Sequence, residues 1–324
     1  MTSLANRINT TAKAAKALWS ASPALTAAGL LMTAVLMGSL VGLVADRRII
    51  TNAPAWLKPS KFAISTAIYM LTLAAIFTQL PGWPRTRRVV GWATAAILVL
   101  EVAIIDTQAW RGTTSHFNIG TRLDRVLFGI MGIAILVQTL ASVAVAVALW
   151  RQRFDDRALG SALRFGLIIT ILGASTGGLM TRPTTAQLDQ ARTTGVMAIA
   201  GAHTVGAADG GPGLPGTGWS VEYGDLRIPH FVGLHAIQLL PLLALALRRR
   251  RVEETARVRV MFVATASYTS LFALLLWQAL RGQSLVQPDS LTIGVLVGWA
   301  ILTVVVAGYA AARARTGNRM IAVA

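Results

Sequence analysis

Long apolar segments alternate with short polar ones along the whole chain. Eight segments of about 20 mainly apolar residues can be marked, each long enough to cross a bilayer as a helix. They cover residues 22–45, 62–81, 89–110, 126–150, 161–181, 230–248, 260–280 and 291–312. The pattern predicts an all-α polytopic membrane protein with eight transmembrane helices.

The polar segments between and around these spans differ in length. Residues 1–21 form a basic arm before the first span, and residues 313–324 follow the last span as a tail. The longest connection, 182–229, is rich in glycine, which favours neither helix nor strand. A connection of this length is either disordered or a lid folded over one end of the helices.

The two halves of the chain resemble each other. The sequence Gln-Ala-x-Arg-Gly occurs at 108–112 and again at 278–282, and a second pair of similar segments, 57–68 and 226–237, has nearly the same offset. We interpret this as a tandem duplication of a four-helix unit, with the first copy at 22–150 and the second at 161–312. Four spans is an even number, so both copies would have the same orientation in the membrane.

Composition narrows the class of protein. Only 13% of residues are charged and 54% are hydrophobic, which excludes a soluble enzyme. The net charge of +17 would indicate nucleic-acid binding in a soluble chain, but here the arginines lie beside membrane spans and favour anionic lipid. With no cysteine, disulfides and thiolate metal sites are excluded.

The distribution of basic residues predicts the orientation. With the N-terminus inside, the inner segments hold 18 Lys and Arg residues, whereas the longer outer segments hold 11. By the positive-inside rule, both termini lie in the cytoplasm, in the inner membrane of a bacterium. The first, third, fifth and seventh connections then face outward.

Ionisable groups gather toward the outer side of this topology. Glu101 lies about 13 Å below the outer end of the third span, and it shares a helical face with Gln108. A charged group at that depth costs roughly 2.5–3.5 kcal/mol on insertion scales. Glu101 is therefore interpreted as functional, with a protonated structural acid as the alternative.

The candidate site residues are polar groups predicted at about one depth. The proposed metal ligands are His116, His230 and His235. The proposed acid–base groups are Glu101, Asp106, Asp225 and Gln238. The proposed substrate-binding residues are Lys58, Lys61, Arg111, Asn118 and Arg227.

Three functional hypotheses follow. In the first, an outward-facing pocket between the second, third and sixth spans binds a metal ion or haem and performs redox or hydrolytic chemistry on a lipid-soluble or periplasmic substrate. In the second, the protein is a proton- or ion-coupled transporter, which the repeat and Glu101 favour. In the third, it is an assembly partner without chemistry of its own. None involves nucleic acid.

Three segments carry a resemblance to other proteins. They are Trp-x-Lys-Pro-x-Lys-Phe at 56–62, Arg-Gly-x-x-Ser-His-Phe-Asn at 111–118, and the segment 224–238 that begins Gly-Asp-Leu-Arg. They resemble segments of a group of bacterial polytopic membrane proteins, a resemblance that implies the fold but no activity. The four-plus-four layout is also similar to that of haem A synthase. That family uses histidines on four helices, which this chain lacks, so the activity is not transferred.

Overall fold

The computed structural model describes the backbone of residues 2–321 and the side chains of residues 11–310. Eight of its helices are long and apolar enough to cross a membrane, as the sequence predicts. In chain order the elements are α1 (Thr2–Ala21), α2 (Pro23–Ala45), β1 (Ile49–Ile50), β2 (Ala53–Pro54), α3 (Leu57–Phe77), α4 (Pro84–Trp110), α5 (Arg122–Arg151), α6 (Arg157–Ser175), α7 (Gly177–Met180), α8 (Thr185–Thr194), β3 (Thr204–Val205), β4 (Gly224–Asp225), α9 (Arg227–Arg249), α10 (Glu254–Leu280) and α11 (Ser290–Ile321).

Several helices begin earlier than the apolar pattern predicts, because polar residues form their first turns. Helix α4 begins at Pro84, a residue suited to the first helical position, so Arg87 belongs to the helix rather than to a loop. Helix α3 begins at Leu57, which places Lys58 and Lys61 in its first turns. The predicted basic arm is the helix α1, and the last three residues of the predicted tail lie outside the described residues.

The long connection is ordered and contains regular structure. Helix α8 begins at a capping box in which Thr184 and Gln187 bond to each other's backbone, and it ends at Gly195 with a left-handed φ of 71°. Strands β3 and β4 pair antiparallel in the second half of the same connection. The lid role of this connection, one of the two alternatives from the sequence, stays a prediction.

The chain forms two compact units, which are described separately. Unit 1 consists of Met1–Ala148 and Thr184–Ala200, and unit 2 of Leu149–Pro183 and Gly201–Ala324. In unit 1 the helices α2, α3 and α4 pack against one another, and in unit 2 the helices α6, α9 and α10 do so. Close approach is made at glycines in both units: Gly29 faces Leu71 of α3, and Gly166 faces the backbone of α9 at Ala236.

A polar corner follows α4 in unit 1, and another follows α10 in unit 2. After α4, the Gln108 side chain donates to the carbonyl of Thr114, and Gly112 has a φ of 72°. After α10, Gln278 donates to the carbonyl of Ser284, and Gly282 has a φ of 74°. In both corners an arginine pairs with an aspartate at the start of the next helix: Arg111 with Asp124 in the first turn of α5, and Arg281 with Asp289 just before α11.

Helices α6 and α9 touch at their backbones. A Cβ atom added to Gly173 would lie 2.6 Å from backbone atoms of Gly233, which cannot move aside as a side chain would. We therefore expect Gly173→Ala to destabilise the protein by about 1–3 kcal/mol, seen as a lower Tm in detergent. Gly178→Ala is the matched control, because nothing lies within 4 Å of its added Cβ atom. Equal Tm values for the two variants would contradict this packing.

Candidate functional site

His116 lies in the connection between α4 and α5 of unit 1, inside a group of aromatic rings. Its ring centroid is 5.5 Å from that of Phe62, 6.0 Å from Phe117 and 6.5 Å from Phe128. The imidazole is therefore partly sheltered, with 22% of its side chain exposed. The end of unit 1 that carries this residue is called the His116 end below, and the opposite end, where α4 begins, the Arg87 end.

A chain of three ionisable groups runs from α3 through His116 to α4. The Nζ atom of Lys58 lies 3.0 Å from Nδ1 of His116, and Nε2 of His116 lies 3.5 Å from Oε1 of Glu101. An ammonium group only donates, so Nδ1 accepts and the ring proton of a neutral His116 is on Nε2, facing the carboxyl group. This arrangement can pass a proton between Glu101 and the His116 end.

Glu101 is the innermost member of this chain. Only 2% of the residue is exposed, and its Oε2 atom has no hydrogen-bond partner among the described residues. It lies nine residues, or about 13 Å, along α4 from the His116 end of the helix. Asp106, also predicted as an acid–base group, lies nearer that end and likewise has a buried oxygen, Oδ1, with no partner in the described part of the chain.

The predicted substrate-binding residues Arg111 and Asn118 bond within their own corner. Arg111 pairs with Asp124 at 2.6 Å and contacts Gln108, and Gln108 also donates to Asp124 at 2.8 Å. Asn118 donates to the hydroxyl of Thr113 at 2.9 Å. These bonds hold the loop that presents His116, so both residues position the site, and their predicted contact with substrate stays a prediction.

In unit 2, Asp225 and Arg227 form a buried ion pair at the start of α9. Asp225 is fully buried, and Arg227 donates to it at 2.5 Å and to the carbonyl of Gly218 at 2.6 Å. The backbone amide of Ser220 donates to the same carboxylate at 2.8 Å. These bonds attach the end of the long connection to α9, so the structure gives Asp225 an anchoring role beside its predicted catalytic one.

The histidines of α9 have different surroundings. Nδ1 of His230 lies 2.8 Å from the carbonyl oxygen of Gly173, so Nδ1 donates and the ring is held against α6. The ring of His235 lies 4.3 Å from that of Phe231. Gln238 follows on the same helix as His235 and is half-buried.

No ligand set for a metal is formed within the part of the chain that the structure describes: no three His, Asp or Glu residues lie close enough together to hold an ion. The predicted ligands belong to different units, His116 to unit 1 and the other two to unit 2. The predicted pocket between the second, third and sixth spans draws on both units and stays a prediction.

His203 anchors the long connection in unit 2. Its ring Nδ1 atom lies 2.6 Å from Asp209, and the backbone amides of His203 and Thr204 donate to the same carboxylate. Burial alone would raise the pKa of Asp209, but the hydrogen bonds from His203 and Thr204 outweigh it and hold that pKa well below its ordinary value.

The lowered pKa of Asp209 predicts the acid response of this connection. The stabilisation is complete above the ordinary aspartate pKa of about 3.9, and it is lost as the pH falls below that value. We expect amide exchange in residues 201–226, corrected for its intrinsic pH dependence, to quicken progressively as the pH falls below about 4, whereas Asp209→Asn should speed exchange there already at pH 7. Asp189→Asn, in an exposed pair with Arg192, is the control that should change neither. If amide exchange in Asp209→Asn were the same as in the parent protein, the contact between His203 and Asp209 would not anchor this connection.

Thr94 lies near the site but is not among the candidate residues chosen from the sequence. Thr94 lies on the face of α4 that carries Glu101 and is fully buried. The signal that marks it in the sequence is a spacing: polar residues recur every seven positions at 87, 94, 101 and 108. Seven residues are nearly two helical turns, so these four share one face.

Comparisons of the chain with family models, curated proteins and solved structures found no match.

Proposed function

We propose that this protein is a proton-coupled transporter in which Glu101 binds the transported proton. The observation that carries the proposal is the geometry at Glu101: a buried carboxyl group far inside a membrane helix, with one oxygen lacking a partner in the described chain and the other facing His116. A permanent charge at this depth is energetically costly, whereas the protonated, neutral carboxyl group is not. A carboxyl group that gains and loses a proton is therefore charged for only part of the time.

The link to Lys58 supports proton entry from the His116 end. Lys58 lies in the first turn of α3, at the end of unit 1 where charged side chains reach headgroups and water. A proton from that side passes to His116 and then to Glu101 over the 3.0 and 3.5 Å contacts already described. We propose that this end faces the periplasm, in the orientation that the basic residues favour, with both termini in the cytoplasm.

The similarity of the two units supports a transporter architecture. Both contain three helices that pack against one another, a close contact at a glycine between two of them, and a similar corner after the third helix. We therefore propose that the chain arose by duplication of a four-helix unit, as in parallel-repeat transporters. An enzyme that uses a protein-held metal ion has less support, since no group of three His, Asp or Glu residues that could hold one occurs among the described residues.

Transport requires that water reach Glu101 from both sides, and thiol labelling tests this access. The chain has no cysteine, so each introduced cysteine is its sole thiol. Leu98→Cys and Ile105→Cys place thiols on α4 within four residues of Glu101, and both positions are buried. In vesicles with the protein in one orientation, we expect a membrane-impermeant maleimide to modify both from either side. Leu100→Cys, 43% exposed on the outer surface of the helix, is the lipid-facing control that should react from neither side.

The side of labelling separates the hypotheses. Reaction only from the His116 end would contradict transport and favour acid–base catalysis in an outward-facing pocket, with the same Lys58, His116 and Glu101 as its groups. If neither cysteine reacts from either side, water does not reach Glu101. This result would contradict both the transporter and the enzyme hypothesis.

A further inference from the structure

A continuous row of polar residues runs along α4 from one end to the other. Arg87, Thr94, Glu101 and Gln108 are each seven residues apart and lie on one face of the helix. From the first to the last, the row covers about 32 Å at 1.5 Å per residue, which is close to the ~30 Å thickness of the hydrocarbon core. The row thus continues past Glu101 to the Arg87 end.

Thr94, the second member of this row, has unusual bonding for a buried polar group. Thr94 is 0% exposed, yet its hydroxyl has no hydrogen-bond partner in the part of the chain that the structure describes. The hydroxyls of Thr66 and Thr107 show the usual arrangement, since each donates to the carbonyl four residues earlier, at 2.8 and 2.7 Å. Leaving a buried hydroxyl without a partner costs about 1–3 kcal/mol, so the position of Thr94 does not serve stability.

The corresponding helix of unit 2 shows which members of the row are structural. At the same spacing α10 carries Arg257, Ala264, Leu271 and Gln278. Arg257 pairs with Asp156 at 2.6 Å, and Gln278 bonds to its corner. The arginine and the glutamine thus recur in both units, whereas the two middle positions are polar only in unit 1. Thr94 and Glu101 are therefore specific to unit 1.

We propose that the hydroxyl of Thr94 carries the proton of Glu101 onward to the Arg87 end, so that the row along α4 is the second half of a transmembrane proton path. This inference rests on the proposed function. The two side chains are seven residues, or about 10 Å, apart along the helix, so the proposed path includes about two hydrogen-bonded water molecules between them. The carboxyl O–H bond breaks and the proton moves through the waters and Thr94 to bulk water. The carboxylate regains a proton from Nε2 of His116, while Nδ1 of the same ring takes up a proton from the Lys58 side.

The charged groups around Glu101 are consistent with this direction. His116 and Lys58 face it from the His116 end, and Asp106 and Arg87 lie on its own helix. Helix α2 packs against α4, and the buried hydroxyl group of its N-cap residue Ser22 lies next to Gly91, in the Arg87 half of α4. Within the described residues, the Arg87 half thus contains the hydroxyl groups of Thr94 and Ser22.

The test uses the pH on each side of the membrane separately. Dicyclohexylcarbodiimide dissolves in lipid and reacts with protonated buried carboxyl groups, so its rate of reaction at Glu101 reports protonation. In vesicles with one orientation, we expect the parent rate to fall by up to about tenfold for each pH unit raised on either side. Thr94→Val, which keeps the shape and removes the hydroxyl, should respond only to the pH at the His116 end.

Two further variants control for packing. Thr94→Ser retains the hydroxyl and should restore the response to both sides, and Thr94→Ala, which copies Ala264 of unit 2, should behave like the valine variant. A valine variant that still responds to the pH at the Arg87 end would overturn the role of Thr94 alone. A parent protein whose Glu101 does not react, or responds to neither side, would overturn the proposed function itself.

Discussion

Glu101→Gln will make the accessibility of α4 independent of pH. In the parent protein carrying Leu98→Cys, labelling from the two sides should shift by up to about tenfold for each pH unit over the range in which Glu101 titrates. Glutamine has the shape of the protonated acid and cannot release a proton, so the variant should stay in one state. The measurement is maleimide labelling from each side between pH 5 and pH 9, in steps of roughly one unit.

Two comparisons make this result specific. Glu222→Gln removes an exposed carboxyl group of the long connection and should leave the pH response intact. Glu101→Leu copies the residue of α10 at the matching position, Leu271, so it should fold and also lack the pH response. A structural acid would give the opposite pattern, with a lower Tm for both Glu101 variants and labelling like that of the parent.

Asp225→Ala will cause the largest loss of stability among the polar substitutions considered. The carboxylate is fully buried and accepts bonds from Arg227 and from the amide of Ser220. Removing one partner of a buried ion pair typically costs 3–5 kcal/mol, because the other charge is left without compensation. Since 29% of the Arg227 side chain is exposed, water relieves part of that cost, and we expect about 3 kcal/mol.

The measurement is the free energy of unfolding in mixed micelles, with Asp189→Ala as the control. Asp189 belongs to an exposed pair with Arg192 and should contribute less than about 1 kcal/mol. The double variant Asp225→Ala/Arg227→Ala should recover part of the loss, since it removes the uncompensated cation. If Asp225→Ala were as stable as the control, the ion pair between Asp225 and Arg227 would not anchor the connection. The catalytic role predicted for Asp225 would then be the better explanation of its burial.

The eight spans could be predicted because a bilayer imposes a minimum apolar length that is visible in sequence. Their ends could not, since turns that carry Lys58 or Arg87 are helical but polar, and the apolar pattern stops before them. Helix α8 was hidden for a similar reason: it has no buried residue, and its limits are set by a capping box and a left-handed glycine.

The candidate site was predictable only in part. Glu101 was marked by its depth and His116 by its residue type, and the structure places the two 3.5 Å apart. The contact between Lys58 and His116 joins residues 58 positions apart, so only folding reveals it. Arg111 and Arg227 have the charge of anion-binding groups, but each forms an ion pair within the protein, with the carboxylates of Asp124 and Asp225 respectively. A sequence shows which charges exist and not which of them neutralise each other.

Unit 1 is not complete when its helices have been synthesised, because its last segment, Thr184–Ala200, comes much later in the chain. The amide of Ile119 donates to the carbonyl of Ala198, and the amide of Ala200 donates to the carbonyl of Phe117. These backbone bonds border the loop of His116 and come from residues translated about 80 positions later. A fragment that stops at Ala148 would lack these bonds. If the two units were expressed as separate chains, residues 184–200 would therefore have to be supplied with the unit 1 fragment.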